Sequence, residues 1–424
     1  MKFWNVKIDK VKSSKLAHNA VWMFLGQGLS YVFQATYFIL LGRLLGSTEY
    51  GIYMGAVALA AIFSQYSALG SQWTFLQYVS PDHSQFSRYW GNILMATISL
   101  GALFTIFLTL VGLRIAHSYS PLMLLCVAAG DCLCMPLVNA IANVFQAFEK
   151  MRITAAMNIL TNLLRVILAS TLLVSLRHAS AFQWAAAALI VSVCAVSVAL
   201  VLVKWHFGKP TFSPSLLKKR SGEGLVYALS SSAGNVYTDF DKVLLGHFGM
   251  NSANGVYSMA YKAVSVFCMP IGSIHNAAFP RIFQRGKYGL AGTSAYVLRI
   301  LKRTAPLSLL MAVILWFTAP ILPHLLGPSF AESTSALRWL CLLPFTRAFQ
   351  WSAGDALTGA GLQRYRLGTQ IVAAVLNLSM NLYLIPRHGW LGAAWASVAT
   401  DGTLAAMNWA VLLTLRGREQ RTLA

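Results

Sequence analysis

Acid is what this chain has least of. Only 12 aspartates and glutamates stand against 33 lysines and arginines, charged residues make up 11% of the 424, and cysteine occurs six times. So little charge, beside 57% hydrophobic residues and a mean hydropathy of +0.60, excludes the nucleic-acid reading that a soluble protein of net charge +21 would invite. Cys126, Cys132, Cys134, Cys194, Cys268 and Cys341 lie in apolar segments without paired metal-site spacing, which excludes a metal centre and leaves them as small core residues. No connection is long enough for a soluble domain, and the largest, about 204–222 and 280–303, are basic. The start lacks the short apolar region and small-residue cleavage site of a signal peptide, so the first span is expected to stay attached.

What is present is a string of apolar segments of roughly 20 residues, the length that crosses about 30 Å of hydrocarbon. The hydropathy pattern predicts twelve spans, near 17–41, 51–76, 91–113, 121–147, 153–176, 183–203, 223–245, 255–279, 304–321, 333–359, 367–385 and 391–415. With the N-terminus in the cytoplasm, 24 of the 33 cations fall in cytoplasmic segments, against only Arg43, Arg114, Arg177 and Arg387 outside. That asymmetry satisfies the positive-inside rule and predicts both termini cytoplasmic.

The chain repeats itself. Gly42, Gly51 and Tyr53 in LGRLLGSTEYGIY match Gly246, Gly255 and Tyr257 in LGHFGMNSANGVY at an offset of 204, and Arg152 and Arg364 precede two polar helices at an offset of 212. Six spans separate the copies, and an even number preserves orientation. The expected fold is therefore an all-α integral membrane protein of about 12 transmembrane helices, in two six-helix lobes related as parallel repeats around a central cavity. The expected divisions are an N-terminal lobe at 1–203, a basic cytoplasmic linker at 204–222 and a C-terminal lobe at 223–424.

Five cations remain inside spans: Arg165, Lys242, Lys262, Arg338 and Arg347. A charge at a helix centre costs about 2.5 to 3.5 kcal/mol on insertion scales, so such residues face a bundle interior or a substrate path unless they snorkel from a helix end. Arg338 lies close enough to its span's outer end to snorkel. Arg165 is roughly 18 Å into its span, at about 1.5 Å per residue, and Arg347 is also near the middle, so both are expected to face a cavity.

Polar residues recur at helical spacing. Asn158, Asn162 and Arg165 form one stripe, and Gln370, Asn377 and Asn381 form its counterpart in the second half, with Ala374 between. Asp131, Asn139, Asn143 and Gln146 make another around the kink expected at Pro136, and Gln27, Ser30, Gln34 and Tyr37 line the first span. Amides of this kind commonly bond between membrane helices, and several stripes beside a mid-span arginine point further, to a polar cavity. In the seventh span Asp239 and Lys242 can pair at i+3 while Asp241 is expected to point elsewhere; Lys262 has no acid within four residues, so its partner must come from another helix or a ligand.

R-x-L-G-S-x-E-Y-G-x-Y (Arg43 to Tyr53), D-K-V-L-L-G (Asp241 to Gly246), G-V-Y-S-M-A-Y-K (Gly255 to Lys262), F-P-R (Phe279 to Arg281) and the run from Asn377 to Ala394 together resemble the polysaccharide transporter family, the Wzx-type flippases of the superfamily that also holds multidrug exporters and lipid II flippases. The resemblance covers nearly the whole chain. It implies transport of an undecaprenyl-pyrophosphate-linked oligosaccharide, a precursor of O-antigen lipopolysaccharide, capsule or exopolysaccharide, across a bacterial inner membrane by alternating access. It further implies a membrane lipid setting, a polysaccharide polymerase and chain-length regulator as partners, and neither an enzyme activity nor a cofactor. Lys262 stands where relatives carry a basic residue and Asp241 where they carry an acid, whereas Ala58 occupies the first-half position equivalent to Lys262, so the charge is not symmetric between halves.

The chemistry fits that class independently. A pyrophosphate-sugar headgroup needs cations for its phosphates and amides for its hydroxyls, for which Arg165, Lys262, Arg347, Lys242, Arg338, Asn158, Asn162, Asn377 and Asn381 are the candidates. Coupling to H+ or Na+ calls for acids, and Asp239, Asp241, Asp131, Asp355 and Asp401 are available. A cation-coupled multidrug-type exporter is the alternative on the same fold, although mid-span arginines argue against a cavity for cations. A membrane glycan polymerase or ligase is the second alternative; the short outer loops argue against it, and His117, His178, His247, His324 and His388 occur singly. Five cations and five aspartates inside the spans leave a formally balanced interior, so the functional question is where each sits.

Overall fold

The computed structural model describes residues 2–115, 119–148 and 150–423, with side chains from residue 28 onward apart from 73, 151, 220, 223, 226, 227, 230, 231, 233, 234, 237, 280, 420, 422 and 423. Of the residues named above, the Gln27 side chain and His117 lie outside what is described. All regular secondary structure among the described residues is helical. The helices are α1 (Lys2–Ser67), α2 (Ser71–Val79), α3 (Phe86–Ile115), α4 (Pro121–Ala129), α5 (Met135–Ala147), α6 (Met151–Leu176), α7 (Ala181–Phe207), α8 (Pro214–His247), α9 (Asn251–Gly286), α10 (Gly289–Thr318), α11 (Ile321–Leu326), α12 (Ser333–Leu340), α13 (Leu343–Gly359), α14 (Gln363–His388) and α15 (Trp390–Leu423).

Each of the twelve expected spans falls on helix. Breaks in the helices have local causes. Gly46, at φ 67° and ψ 175°, interrupts α1, and Leu69 and Gly70, both at positive φ, end it before α2. Pro136 cannot donate to the carbonyl of Cys132, and the chain answers with a π turn over Gly130–Cys134 just before α5. The released carbonyl of Cys132 faces Gly101 of α3, where an added Cβ would lie 2.6 Å from it. The segment expected as a linker is non-helical only at 208–213; from Pro214 it is already α8.

Eight stretches of helix are long and apolar enough by themselves to cross a membrane, while α8, α9 and the α12–α13 pair fall outside that set. These are the helices that carry Asp239, Asp241, Lys242, Lys262, Arg338, Arg347 and Asp355; α12 and α13, with 8 and 17 residues, are also individually too short to span. Val174 is 84% and Trp205 78% exposed, an arrangement that hydrocarbon, not water, stabilises.

Packing separates two compact units, residues 1–45 with 56–232, and residues 46–55 with 233–424. The core of the first gathers Phe75, Phe86, Trp90, Ile141 and Phe145; that of the second gathers Ile282, Val297, Ala353, Leu357 and Leu412.

Within the second unit the two copies of the glycine motif meet. A Cβ on Gly51 would lie 1.8 Å from the carbonyl oxygen of Asn251, and one on Gly255 would lie 1.9 Å from that of Ser47. Residues 47 and 251, like 51 and 255, are separated by the repeat offset, so the contact is reciprocal, as a local twofold demands. The hydroxyls of Ser47 and Ser252 are 2.9 Å apart, and Asn254 donates both to the Gly51 carbonyl at 2.9 Å and to that of Lys242 at 3.0 Å. The repeat is thus conserved within the chain because each copy supplies the bare backbone that the other packs on.

Candidate functional site

The densest polar cluster lies inside the second unit, on α8, α9, α13 and α15. Lys242 is 1% exposed. Its Nζ donates to Asp239 Oδ1 at 2.5 Å and to the carbonyl of Thr238 at 2.8 Å, lies 3.8 Å from Asp241 Oδ1, and stands 4.4 Å from the centre of the Tyr261 ring. All of the ammonium's neighbours are electron-rich, which offsets the loss of its hydration.

Asp241, expected to point away from Lys242, instead folds back on it. Its Oδ1 accepts the Lys242 backbone N–H at 2.7 Å, and its Oδ2 accepts the Tyr257 hydroxyl, which also contacts Ser397 Oγ at 2.8 Å. On the other side of Tyr261, Arg347 donates to the Tyr261 hydroxyl and, through Nε, to Asp401 Oδ2 at 3.1 Å. A continuous network therefore runs from Asp239 to Asp401 through Lys242, Tyr261 and Arg347, with Asp241, Tyr257 and Ser397 branching from Lys242. Half-buried Lys262, next after Tyr261, acts electrostatically on Asp239. Counting Lys262, three cations face three carboxylates, a formally neutral cluster.

The sequence places Lys242 and Arg347 toward a ligand; the structure encloses both among acids. The physical reason is the same burial cost that singled them out: a charge in hydrocarbon that cannot reach water must find a protein partner. Asn377 and Asn381 are likewise withdrawn. Both are buried, with the Asn381 amide donating to Asn377 Oδ1 at 2.9 Å and Asn377 reaching Thr400 Oγ1 at 3.4 Å, so their amides fasten α14 to α15 rather than stand open to sugars.

Replacing Lys242 by methionine is expected to lower the stability of the purified protein by about 3 to 5 kcal/mol, because it leaves Asp239 and Asp241 buried without their cation. Adding Asp239→Asn and Asp241→Asn should recover most of that loss. Chemical unfolding of the single and triple variants measures both.

The first unit carries a different arrangement. On α6, Asn162 donates to Ser30 Oγ of α1 at 2.6 Å, and that hydroxyl donates in turn to the Asn158 carbonyl at 3.3 Å. Along the same seam lies Arg165, half-buried, its Nη2 3.3 Å from Met135 Sδ and its guanidinium 5.9 Å from the centre of the Tyr37 ring. Among the described residues no carboxylate stands within ion-pair distance of it. The structure thus brings Asn158, Asn162 and Arg165 together, as the stripe predicts, and keeps the cation without an acid. Asp131 sits in the π turn one helical turn before Met135.

Two candidates stand apart. Arg338 is exposed in the last turn of α12, with its guanidinium 5.3 Å from the Trp316 ring, the posture of a snorkelling side chain. Asp355 accepts from His275 Nδ1 at 2.8 Å and lies 3.7 Å from Arg366 Nη1. Sequence reasoning missed Tyr257, Tyr261, Ser397 and His275. The first two were within reach, since tyrosines four apart share a helix face with each other, and a histidine inside a predicted span is itself a signal. Ser397 gave none.

A family model described as polysaccharide biosynthesis protein matches residues 16–285. An uncharacterized membrane protein of Methanocaldococcus jannaschii is 26% identical over 215 residues, 48% of this chain and 41% of that protein, so the alignment spans about two fifths of the relative's length. Among solved structures, an inward-facing multidrug resistance MATE family transporter of the MOP superfamily is similar with a TM-score of 0.73, at 16% identity, over 93% of this chain and 96% of its own. An outward-facing conformation of such a transporter scores 0.64 at 15% identity, covering 96% of each chain. A eukaryotic MATE transporter scores 0.63 at 16% identity over 95% of each. At these identities the likeness shows the fold alone, a multi-pass helical membrane architecture in two lobes.

Proposed function

We propose, from the premise that the chain belongs to the polysaccharide biosynthesis protein family, that it is a flippase carrying undecaprenyl-pyrophosphate-linked oligosaccharide units, precursors of O-antigen, capsule or exopolysaccharide, from the cytoplasmic to the periplasmic leaflet by alternating access. The observation that carries this reading is Arg165. A mid-span guanidinium whose protein neighbours are a thioether and an aromatic ring is electrostatically unfinished, and a diphosphate completes it. Asn158 and Asn162 flank it with amides suited to hydroxyls. The cation-rich side of the membrane is the cytoplasm in this reading, the termini lie there, and the membrane is the bacterial inner one.

The network of the second unit supplies coupling. Its carboxylates are held by fixed cations, so a proton or Na+ arriving at Asp239, Asp241 or Asp401 would change a nearly balanced cluster and favour one conformation over another by differential binding. No enzymatic step and no cofactor is required.

Cation-coupled export of amphiphilic drugs is the second reading, favoured by the same buried carboxylates and by the multidrug function named for the similar structures. Deleting the gene separates the two. The flippase reading expects surface polysaccharide to disappear, lipid-linked oligosaccharide to accumulate inside, and drug susceptibility to stay at the parental level. Unchanged polysaccharide with heightened drug sensitivity would establish the exporter.

A further inference from the structure

A polar cavity, used by none of this, is lined wholly by residues of the second unit. It has a volume of about 340 Å³ and is lined by Gly272, His275, Asn276 and Phe279 of α9, Trp351 and Asp355 of α13, and Arg366 of α14. The α9 residues recur at i, i+3, i+4 and i+7 and therefore share one face. Trp351 and Asp355 are one turn apart on the facing helix.

The cavity is built rather than incidental. His275 is 4% exposed, and its Nδ1–H bond to Asp355 Oδ2 fixes the tautomer and aims the carboxylate. Its Nε2 is enclosed without a partner. Arg366 approaches the other carboxylate oxygen at 3.7 Å and is anchored through Nη1 to Thr358 Oγ1 at 2.8 Å. The Trp351 indole stands edge-on to His275, with ring centres 6.0 Å apart and planes at 74°, and its six-membered ring lies 3.5 Å from where a Gly272 Cβ would be. An added Cβ at 272 would therefore meet that ring in ordinary van der Waals contact, so the indole packs directly over the α9 backbone.

The chemistry of the lining selects its ligand. Asp355 and Arg366 cancel each other's formal charge, so neither a cationic drug nor a free phosphate finds an uncompensated counter-charge. What remains is a flat apolar face beside a carboxylate, a guanidinium and an amide, with Asn276 exposed to the opening. An uncharged ring with one C–H face and a rim of hydroxyls matches all of these at once. The volume is at the lower end of small-ligand pockets, roughly 300–1,000 Å³, enough for one or two sugar rings.

We propose that the cavity between His275, Asn276, Trp351, Asp355 and Arg366 is a pyranose subsite that reads the glycan of the transported lipid. The inference rests on the flippase reading and adds to it where sugar identity is sensed. Arg165 answers the diphosphate common to every such lipid; this cavity answers the sugar. Polar groups built to bond hydroxyls discriminate strongly, because a ligand lacking them leaves the site unpaired.

The test uses the full-length protein in lipid nanodiscs and native mass spectrometry. Its probes are undecaprenyl pyrophosphate alone and the same lipid carrying glucose, galactose, N-acetylglucosamine or N-acetylgalactosamine. The expected result is that at least one glycosylated lipid binds about tenfold or more tightly than the bare lipid. Trp351→Ala and Asn276→Ala should each erase that preference without altering bare-lipid binding, while Trp351→Phe, which keeps a flat ring, retains most of it. A preference that survives Trp351→Ala, equal loss of both lipids in the variants, or equal binding of all five lipids by the wild type overturns the subsite. Failure of the wild type to bind any of the lipids overturns the flippase reading itself, which keeps the two failures apart.

Discussion

Replacing Arg165 by alanine is expected to cut surface polysaccharide by more than about tenfold, with the protein still inserted and abundant. Hydrogen bonds to charged groups contribute about 1.5 to 3 kcal/mol, and each 1.4 kcal/mol is a factor of ten in an equilibrium. Arg165 gives up little inside the protein when it is removed, since its neighbours are Met135 and Tyr37 and no described carboxylate is stranded. Stability should therefore hold while transport falls, the reverse of the outcome at Lys242. Arg165→Lys should restore only part of the activity, because an ammonium cannot present the two parallel donors of a guanidinium. Arg338→Ala, at an exposed helix end, is the control and should export normally. Export at the parental level in Arg165→Ala would remove the role assigned to this cation.

The other large effect is structural. Gly255→Val should leave no folded protein in the membrane, and Gly51→Val should do the same. Each new Cβ falls under 2 Å from a backbone carbonyl, Ser47 in one case and Asn251 in the other, and backbone cannot swing aside as a side chain can. Relief requires the segment 46–55 to separate from α9, which also breaks the Ser47 to Ser252 contact and the bond from Asn254 to Gly51. Because Asn254 also holds the Lys242 carbonyl, the damage reaches the charged network. Expression followed by size-exclusion chromatography in detergent is the measurement, with Gly402→Ala as the tolerated comparison, since a Cβ there meets nothing within 4 Å. A monodisperse Gly255→Val protein would show that the reciprocal contact is dispensable.

The two predictions mark how far the residues alone could be read. The span count, the repeat offset and the polar stripe of α6 were all legible, because each is a matter of spacing along the chain. Hydrophobic length sets the number of crossings, and a glycine recurring at a fixed offset marks close backbone approach. His275, a titratable ring in a predicted span, carried a signal of the same kind that went unread. The pairing of Lys242 with Asp239 was visible at i+3, and the return of Asp241 was not, because it depends on a hydroxyl from Tyr257 on another helix.

Sequence by itself determined that this is a helical membrane protein of about twelve spans, built from a duplicated half, with five cations and five aspartates committed to hydrocarbon. Tertiary structure decided which of those charges are already answered. Arg347 found Asp401 across 54 positions, Asp355 found His275 across 80, and Arg165 found no carboxylate among the described residues. Charge neutrality can be counted along a chain, whereas the energy of an ion pair falls with distance and depends on enclosure. Only folding brings residues from separate helices within the few ångströms at which that energy matters.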